Sequence, residues 1–314
     1  HVPNLENNGT AGCYDGGIGE SFRDCDIASW TNGGALMVTA EPEALMVYDL
    51  AEDLSTNMRG PAFTSILDAG MGSISFPSRP AIATPPRLGI VHITFTGTRE
   101  ISGGASDSEP YGIMREGSGS FSPPDNMTTT LGSALPEDFT AVAVHPVTGR
   151  AVGAYTTVNV GSQNSTVYVS LHNNQARAWG TGAHLNIFAV DQNTSVWLPN
   201  KPANEAWFGF SPAFAPLPDG TFAFSNNVGD YRIYMVPFDL DRVPSITTGR
   251  GWFVGPVQQM STDRVVDPRA SLSGPQPPVS AIASDGQVSV YGVFTTGTGI
   301  NGDVEGTARF FHWP

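Results

Sequence analysis

The chain has 314 residues, of which 40% are hydrophobic, and its 29 acidic and 15 basic residues leave a formal net charge of −14. That balance, with Lys201 as the only lysine, repels nucleic acid and anionic membrane alike, and no apolar run is long enough to span a bilayer. The 36 glycines and 25 prolines beside such an apolar content point to a turn-rich globular protein rather than a disordered one.

The opening HVPNLENNGT has neither the basic nor the apolar stretch of an export signal, so any such signal is expected to have been removed or never present. Cys13 and Cys25 are the only cysteines. A Gly-rich loop closed by one disulfide is expected there, worth on the order of 3 kcal/mol by loop-closure entropy. Two thiols with no histidine nearby make a poor zinc site, since structural zinc takes four ligands. Sequons at Asn8, Asn126, Asn164 and Asn193 occur about as often as chance allows in so Asn-, Ser- and Thr-rich a chain. The cysteine pair, the scarcity of lysine and the polar uncharged surface together lead us to expect an extracellular protein.

Next along the chain, GALMVTAEPEALMVYDL (residues 34 to 50) is a weak hairpin; PEALMVYDLAEDL within and beyond it also fits an amphipathic helix, but the repeat favours strand. Four clearer copies follow: PAIATPPRLGIVHITFTG, TAVAVHPVTGRAVGAYTT, PAFAPLPDGTFAFSNN and VSAIASDGQVSVYGVFTT. Each joins two alternating apolar strands through a turn rich in Pro, Asp and Gly, which is hairpin chemistry. Gly149, Gly220 and Gly286 mark successive turns at an irregular but real period. Repeats of that length with about four strands each are the mark of propeller blades, which bury their faces against one another.

The expected architecture is therefore an all-β propeller of five blades, residues 34 to 75, 76 to 137, 138 to 207, 208 to 275 and 276 to 314. A strand pair within HLNIFAVDQNTSVWLP would raise the count to six, and a β-sandwich is the alternative fold. The last blade lacks an outer strand, and residues 1 to 33, pinned by the disulfide, are expected to complete it.

After the hairpins come third strands and turns that end in an aromatic: GIMREGSGSFSPP (Phe121), YVSLHNNQARAWGTG (Trp179) and SITTGRGWFVGP (Trp252). These resemble degenerate forms of the Asp-box, Ser-x-Asp-x-Gly-x-Thr-Trp, of the sialidase-like and BNR-repeat propellers. In that motif the acid closes the turn and the aromatic packs between blades. Glu116, Asn174 and Thr247 stand at the acid position, and none of the three boxes is intact. The resemblance covers roughly residues 75 to 314 and implies architecture, not activity.

Propeller chemistry gathers where the innermost strands begin. The candidates there are Arg79, Asp138, Phe210 with Ser211, and Pro278. Arg79 before Pro80 resembles the arginine that opens the sialidase site, although the order of neighbours differs; a channel-lining arginine paired with an acid is the plainer alternative. Arg232 and Arg269 could supply a sialidase's further arginines, but no tyrosine is forced. Asp107, Glu109, Asp138, Asp230, Asp263 and Asp267 are placed on loops that could bring two carboxylates to glycosidase spacing, and no catalytic pair can be chosen among them.

Trp197 and Trp207, with Trp30, Trp179, Trp252 and Trp313, offer flat faces to sugar rings or to neighbouring blades. His1, if a processed terminus, could chelate copper with a second histidine; a terminal His without a role is the plainer reading, and no metal or other cofactor is expected. The expectation is a monomeric, secreted propeller recognising glycans through Arg79, Asp138, Trp197, Trp207 and Phe210. A glycoside hydrolase or polysaccharide lyase is the alternative, and a structural or copper protein the third. No nucleic-acid partner and no membrane span are expected.

Overall fold

The computed structural model describes residues 25–30, 34–41, 43–50, 56–64, 74–85, 88–101, 105–128, 137–145, 149–159, 164–174, 177–179, 185–188, 210–216, 222–227, 233–238, 258–259, 280–284, 290–297 and 306–313. Among the described residues the regular elements are all strands. They are β1 (Cys25–Ser29), β2 (Ala35–Glu41), β3 (Ala44–Leu50), β4 (Thr56–Thr64), β5 (Ile74–Ala83), β6 (Ile90–Ile101) and β7 (Ala105–Glu116). Then come β8 (Asp125–Asn126), β9 (Glu137–Val144), β10 (Ala151–Asn159), β11 (Asn164–Asn173), β12 (Ala178–Trp179) and β13 (Leu185–Phe188). The last are β14 (Phe210–Pro216), β15 (Phe222–Asn227), β16 (Ile233–Phe238), β17 (Gln258–Gln259), β18 (Ser280–Ser284), β19 (Val290–Gly297) and β20 (Gly306–Trp313). None of the described residues forms a helix long and apolar enough to cross a membrane.

These strands make consecutive sheets in chain order: β1-β2-β3-β4, β5-β6-β7-β8, β9-β10-β11-β12, β14-β15-β16-β17 and β18-β19-β20, with β13 paired to β11. Such meanders follow from strands joined by short turns, as the hairpins require. The second to fifth sheets fall close to the expected blades, and β3 is a strand where a helix was the other reading. The described part of HLNIFAVDQNTSVWLP joins the third sheet through β13, with Val167 opposite Phe188.

The amino-terminal expectation needs correction for its last residues. Cys25–Ser29 does not join the last sheet; it pairs antiparallel with β2, Cys25 opposite Thr39 and Ser29 opposite Ala35. The cause is local: TNGG at 31 to 34 is turn-forming sequence, and the Trp30 amide donates to the Gly34 carbonyl at 2.7 Å. Residues 1 to 24, the rest of the proposed closing segment, lie outside the described residues.

Two compact units divide the chain, one within His1–Gly153 and Ser170–His184, the other within Ala154–Val169 and Leu185–Pro314. In the first, β2 and β6 are buried on both faces: Leu36 to Ala40 and Val91 to Gly97 are all buried. A continuous buried run is what a strand covered on both sides shows. Leu36, Val38, Leu45 and Val47 of the first sheet close on Ile82, Val91, Ile93, Phe95, Tyr111 and Ile113 of the second. Phe95 is the hinge of that core, 5.0 Å from Phe63 and 5.7 Å from Tyr111 between ring centroids. Each such side chain contributes roughly 1.5–3 kcal/mol by leaving water. In the second unit β14 pairs with β15 and β15 with β16, and β14 packs beside β18.

The GSGSFSPP turn after β7 is a built turn rather than a slack loop. Gly117 takes φ +58, where a side chain would be strained, and its amide donates to the Gly89 carbonyl at 2.8 Å. Ser122 locks the far side: its amide donates to the Met114 carbonyl at 2.8 Å, and its Oγ accepts from the Met114 amide at 3.1 Å. The acid of this degenerate box acts differently from expectation. The backbone carbonyl of Glu116, not its carboxylate, accepts the turn bond from Gly119 at 3.2 Å. The carboxylate instead reaches Arg177 at 3.2 Å across to the corresponding turn of the third sheet, with both side chains exposed, so the pair adds little stability.

Phe121 packs against the core between the first two sheets but is only half-buried, with the Arg115 guanidinium 4.8 Å over its ring. Phe121→Ala should therefore cost about 2 kcal/mol in urea unfolding, below the range for a fully buried phenylalanine. An effect under about 0.5 kcal/mol would place the ring outside the core's energetics.

Trp179 carries the between-sheet role fully. It is buried, and β12 packs on β7 and β8 of the preceding sheet. Its amide donates to Asp125 Oδ2 at 3.2 Å, and Gly112 and Gly153 leave the room its indole occupies. Asn174, at the acid position of this second box, bonds back to β11 and across to the turn before β10. Its Oδ1 lies 2.8 Å from His172 Nδ1, and its Nδ2 donates to the Gly149 carbonyl at 3.4 Å.

Candidate functional site

Within the first unit the opening strands of three successive sheets lie side by side, β1 against β5 and β5 against β9. They are held by side chains bonded to neighbouring backbone rather than by a ladder. Asp26 Oδ2 accepts from the Ile82 amide at 2.9 Å, and its Oδ1 from the Ile27 amide at 2.9 Å. Thr84 Oγ1 donates to the Ser29 carbonyl, and Thr140 Oγ1 to the Arg79 carbonyl at 3.0 Å.

Asp26 is the residue that sequence reasoning missed. Burial pushes its carboxyl up to about 6, against the pull of the Ile82 and Ile27 amides. A carboxyl poised that close to neutrality on an opening strand is the kind of group that exchanges protons in catalysis. The available signal was its place in the short strand CDIAS just before a TNGG turn.

Arg79 lies on β5, half-buried, with φ +48. The strand is irregular on both sides of it, the register shifting between Ser75 and Ser78 and again between Ser78 and Ala81. A non-glycine residue in the left-handed region is strained, the more so before Pro80, and bulges of this kind re-aim a side chain. Such strain is a pointer to function. Asp138 is the second residue of β9 and Phe210 the first of β14, opposite Asn227. The side chains of both, and Trp197, Trp207, His1 and Cys13 altogether, lie outside the described residues; Cys25 opens β1.

Three of the acids expected on loops are in strands, Asp138 in β9 and two in β7. Asp107 and Glu109 belong to β7, and Glu109 is fully buried, accepting from Asn126 Nδ2 at 2.9 Å and Thr128 Oγ1 at 3.3 Å. Glu109 is thus an internal anchor for the sequon residue Asn126. Burial raises the Asp107 carboxyl above its usual range, with Glu109 adding to the shift. Asp230, Asp263 and Asp267 lie outside the described residues. Among the described residues no group of three metal-ligating side chains forms.

The sequence matches no family model, and no curated protein matches it significantly. Solved structures do match over most of the chain. The endo-arabinase of Bacteroides thetaiotaomicron VPI-5482 covers 92% of this chain and 93% of its own, with 13% identity and a TM-score of 0.52. The α-L-arabinanase of Penicillium chrysogenum in complex with arabinobiose covers 90% and 79%, with 14% identity and a TM-score of 0.52. A Trypanosoma rangeli sialidase covers 91% of this chain and 46% of its own, at 11% identity and a TM-score of 0.51. At such identities the likeness is one of fold, and it bears out the resemblance read from the turn motifs: the chain has the all-β propeller fold of the arabinanases and sialidases.

Proposed function

We propose that the protein is a glycoside hydrolase acting where the opening strands β1, β5 and β9 come together, with Asp26 as proton-exchanging carboxyl and Arg79 as substrate ligand. The observation that carries this is Asp26, half-buried on the opening strand of the first sheet and bonded to the Ile82 amide of the next at 2.9 Å, with desolvation raising its carboxyl to about 6. In a glycosidase one carboxyl must be protonated and the other ionised at working pH. Asp138, second residue of β9 as Asp26 is of β1, is the partner this reading offers. Arg79, aimed by two register shifts, supplies a planar fork for sugar hydroxyls or a carboxylate. The arabinanases and sialidases that share the fold act on glycosidic bonds, which favours hydrolysis over glycan recognition without chemistry.

The test is reducing-end release from arabinan and a panel of other polysaccharides and sialosides, by the wild type and Asp26→Asn. Loss of a proton-transfer group should lower turnover by about 100- to 10,000-fold while oligosaccharide binding persists. Wild-type binding with no release on any substrate would overturn hydrolysis and leave the recognition reading, with Trp197, Trp207 and Phe210 as its contact surface. We further propose an extracellular monomer with a Cys13–Cys25 disulfide; Cys25 is not a free thiol.

A further inference from the structure

We propose that the seam between the second and third sheets is an acid-operated latch, in which His92 and His172 hold the sheets together as neutral rings and release them when they take up protons. Three aromatic rings meet there. His92 of β6 lies 4.7 Å from His172 of β11 and 5.7 Å from Trp179 of β12, and His172 lies 5.3 Å from Trp179, all edge to face. The rings come from both sheets, so the cluster is itself the fastening. His92 is 1% exposed and His172 8%.

The protonation pattern is fixed by the neighbours. Asn174 Oδ1 lies at hydrogen-bond distance from His172 Nδ1, so an oxygen that can only accept places the proton on that nitrogen. His172 Nε2 is then a bare lone pair, and it is buried without a hydrogen-bond partner, as is His92 Nδ1. A second proton on either ring puts a charge into a buried seam, beside an imidazole 4.7 Å away that is then harder to protonate.

The neighbouring groups relieve this only in part, and burial outweighs them. On β8, Asp125 favours the His172 cation but already holds the Trp179 amide with Oδ2. At Arg177, in the turn before β12, the backbone favours the cation and the guanidinium opposes it, and that exposed head is paired with Glu116 at the end of β7. Arg115 of β7 sits beside Val91, one residue out of register with His92, and lies over Phe121. On β10, Gly153 meets the Trp179 ring, and Tyr155, two residues on along that strand, is uncharged in acid. Burial accordingly lowers both histidines, His92 to about 3 with His172 contributing.

A group lowered in the folded state stabilises fully above its unfolded value of 6.5 and loses that contribution as pH falls towards 3. The opening equilibrium should then rise about tenfold per pH unit for each proton taken up. The experiment is hydrogen exchange by mass spectrometry on the full chain between pH 7.5 and 5, expressed as protection factors. Expected is a loss of protection in β6, β11 and β12 of about tenfold or more per unit below pH 6.5, ahead of β2 and β3, with a shallower slope in His92→Phe and His172→Gln. Protection in those strands that is independent of pH, or that falls in step with β2 and β3, overturns the latch, as does an unchanged slope in a folded variant. Should neither variant fold, the wild-type comparison of the two strand sets decides alone.

Discussion

Replacing Trp179 by alanine should cost about 3–5 kcal/mol in urea unfolding, the largest loss expected from any single truncation in the first unit. The indole is among the largest side chains that are fully buried, and it fills space that two other residues leave open for it. A Cβ on Gly112 would stand 2.3 Å from its Cδ1 and one on Gly153 3.0 Å from its Cζ3, with Met127 Cε at 2.5 Å. Gly112 is opposite Thr94 in the middle of the β6–β7 ladder, where the backbone cannot retreat. Gly112→Ala should therefore cost roughly 1–3 kcal/mol or more by overpacking, despite alanine's better strand propensity. In a Trp179→Ala background the same substitution should cost far less, because the atom it collides with is gone. Gly112→Ala within about 0.5 kcal/mol of wild type would show that Trp179 does not fill the seam as described.

That seam shows how far the sequence reaches. Trp179 was legible as a between-sheet aromatic because the turn before it keeps the spacing of an Asp-box even where the acid has become Asn174. The hairpins were legible for a similar reason: alternation and turn residues are local, so 80 to 97 and 140 to 157 read as paired strands from their residues alone. Phe121 shows the limit of the same signal. It occupies the equivalent place one sheet earlier, yet is half-buried and stacked under Arg115, and nothing in SGSFSPP separates a buried aromatic from a half-buried one. His92 could be recognised as a strand histidine among apolar neighbours, but its partner His172 is 80 positions away in sequence and meets it only through packing of two sheets.

The candidate site was harder to read because the bonds that join its strands are of that long-range kind. Asp26 meets Ile82 across 56 positions and Thr140 meets Arg79 across 61, so neither contact leaves a local pattern. Arg79 was legible only as a basic residue at the start of an inner strand. Its left-handed backbone and the register shifts beside it depend on how β5 fits β6. Residues 25 to 29 suited the far end of the fold because the sequence of the last expected blade supplies only three strands, whereas they pair with β2, next to the turn-forming sequence TNGG.

Asp26 should reverse the usual sense of acid lability in its part of the molecule. Its folded value, about 6, lies above the ordinary 3.8, so between those values the folded chain binds more protons than the unfolded one. Its contribution is therefore largest below about pH 4 and falls as pH rises through about 6, a change of about 3 kcal/mol. The histidine seam has the opposite slope over an overlapping range, so the wild-type curve alone will not isolate it. The difference between wild type and Asp26→Asn does, since the histidines cancel. Asparagine keeps one acceptor for Ile27 or Ile82 but sets an amide against the other, which gives a fixed cost of about 1–3 kcal/mol at every pH. Superimposed on it, the variant should gain on the wild type by about 3 kcal/mol between pH 3 and pH 8, measured by urea unfolding at each pH. A flat difference would mean that Asp26 ionises like a solvent-exposed carboxyl, and the proton-exchange role proposed for it would lose its physical basis, whereas the expected rise would show the same desolvation weakening the fold at neutral pH and tuning the group for catalysis.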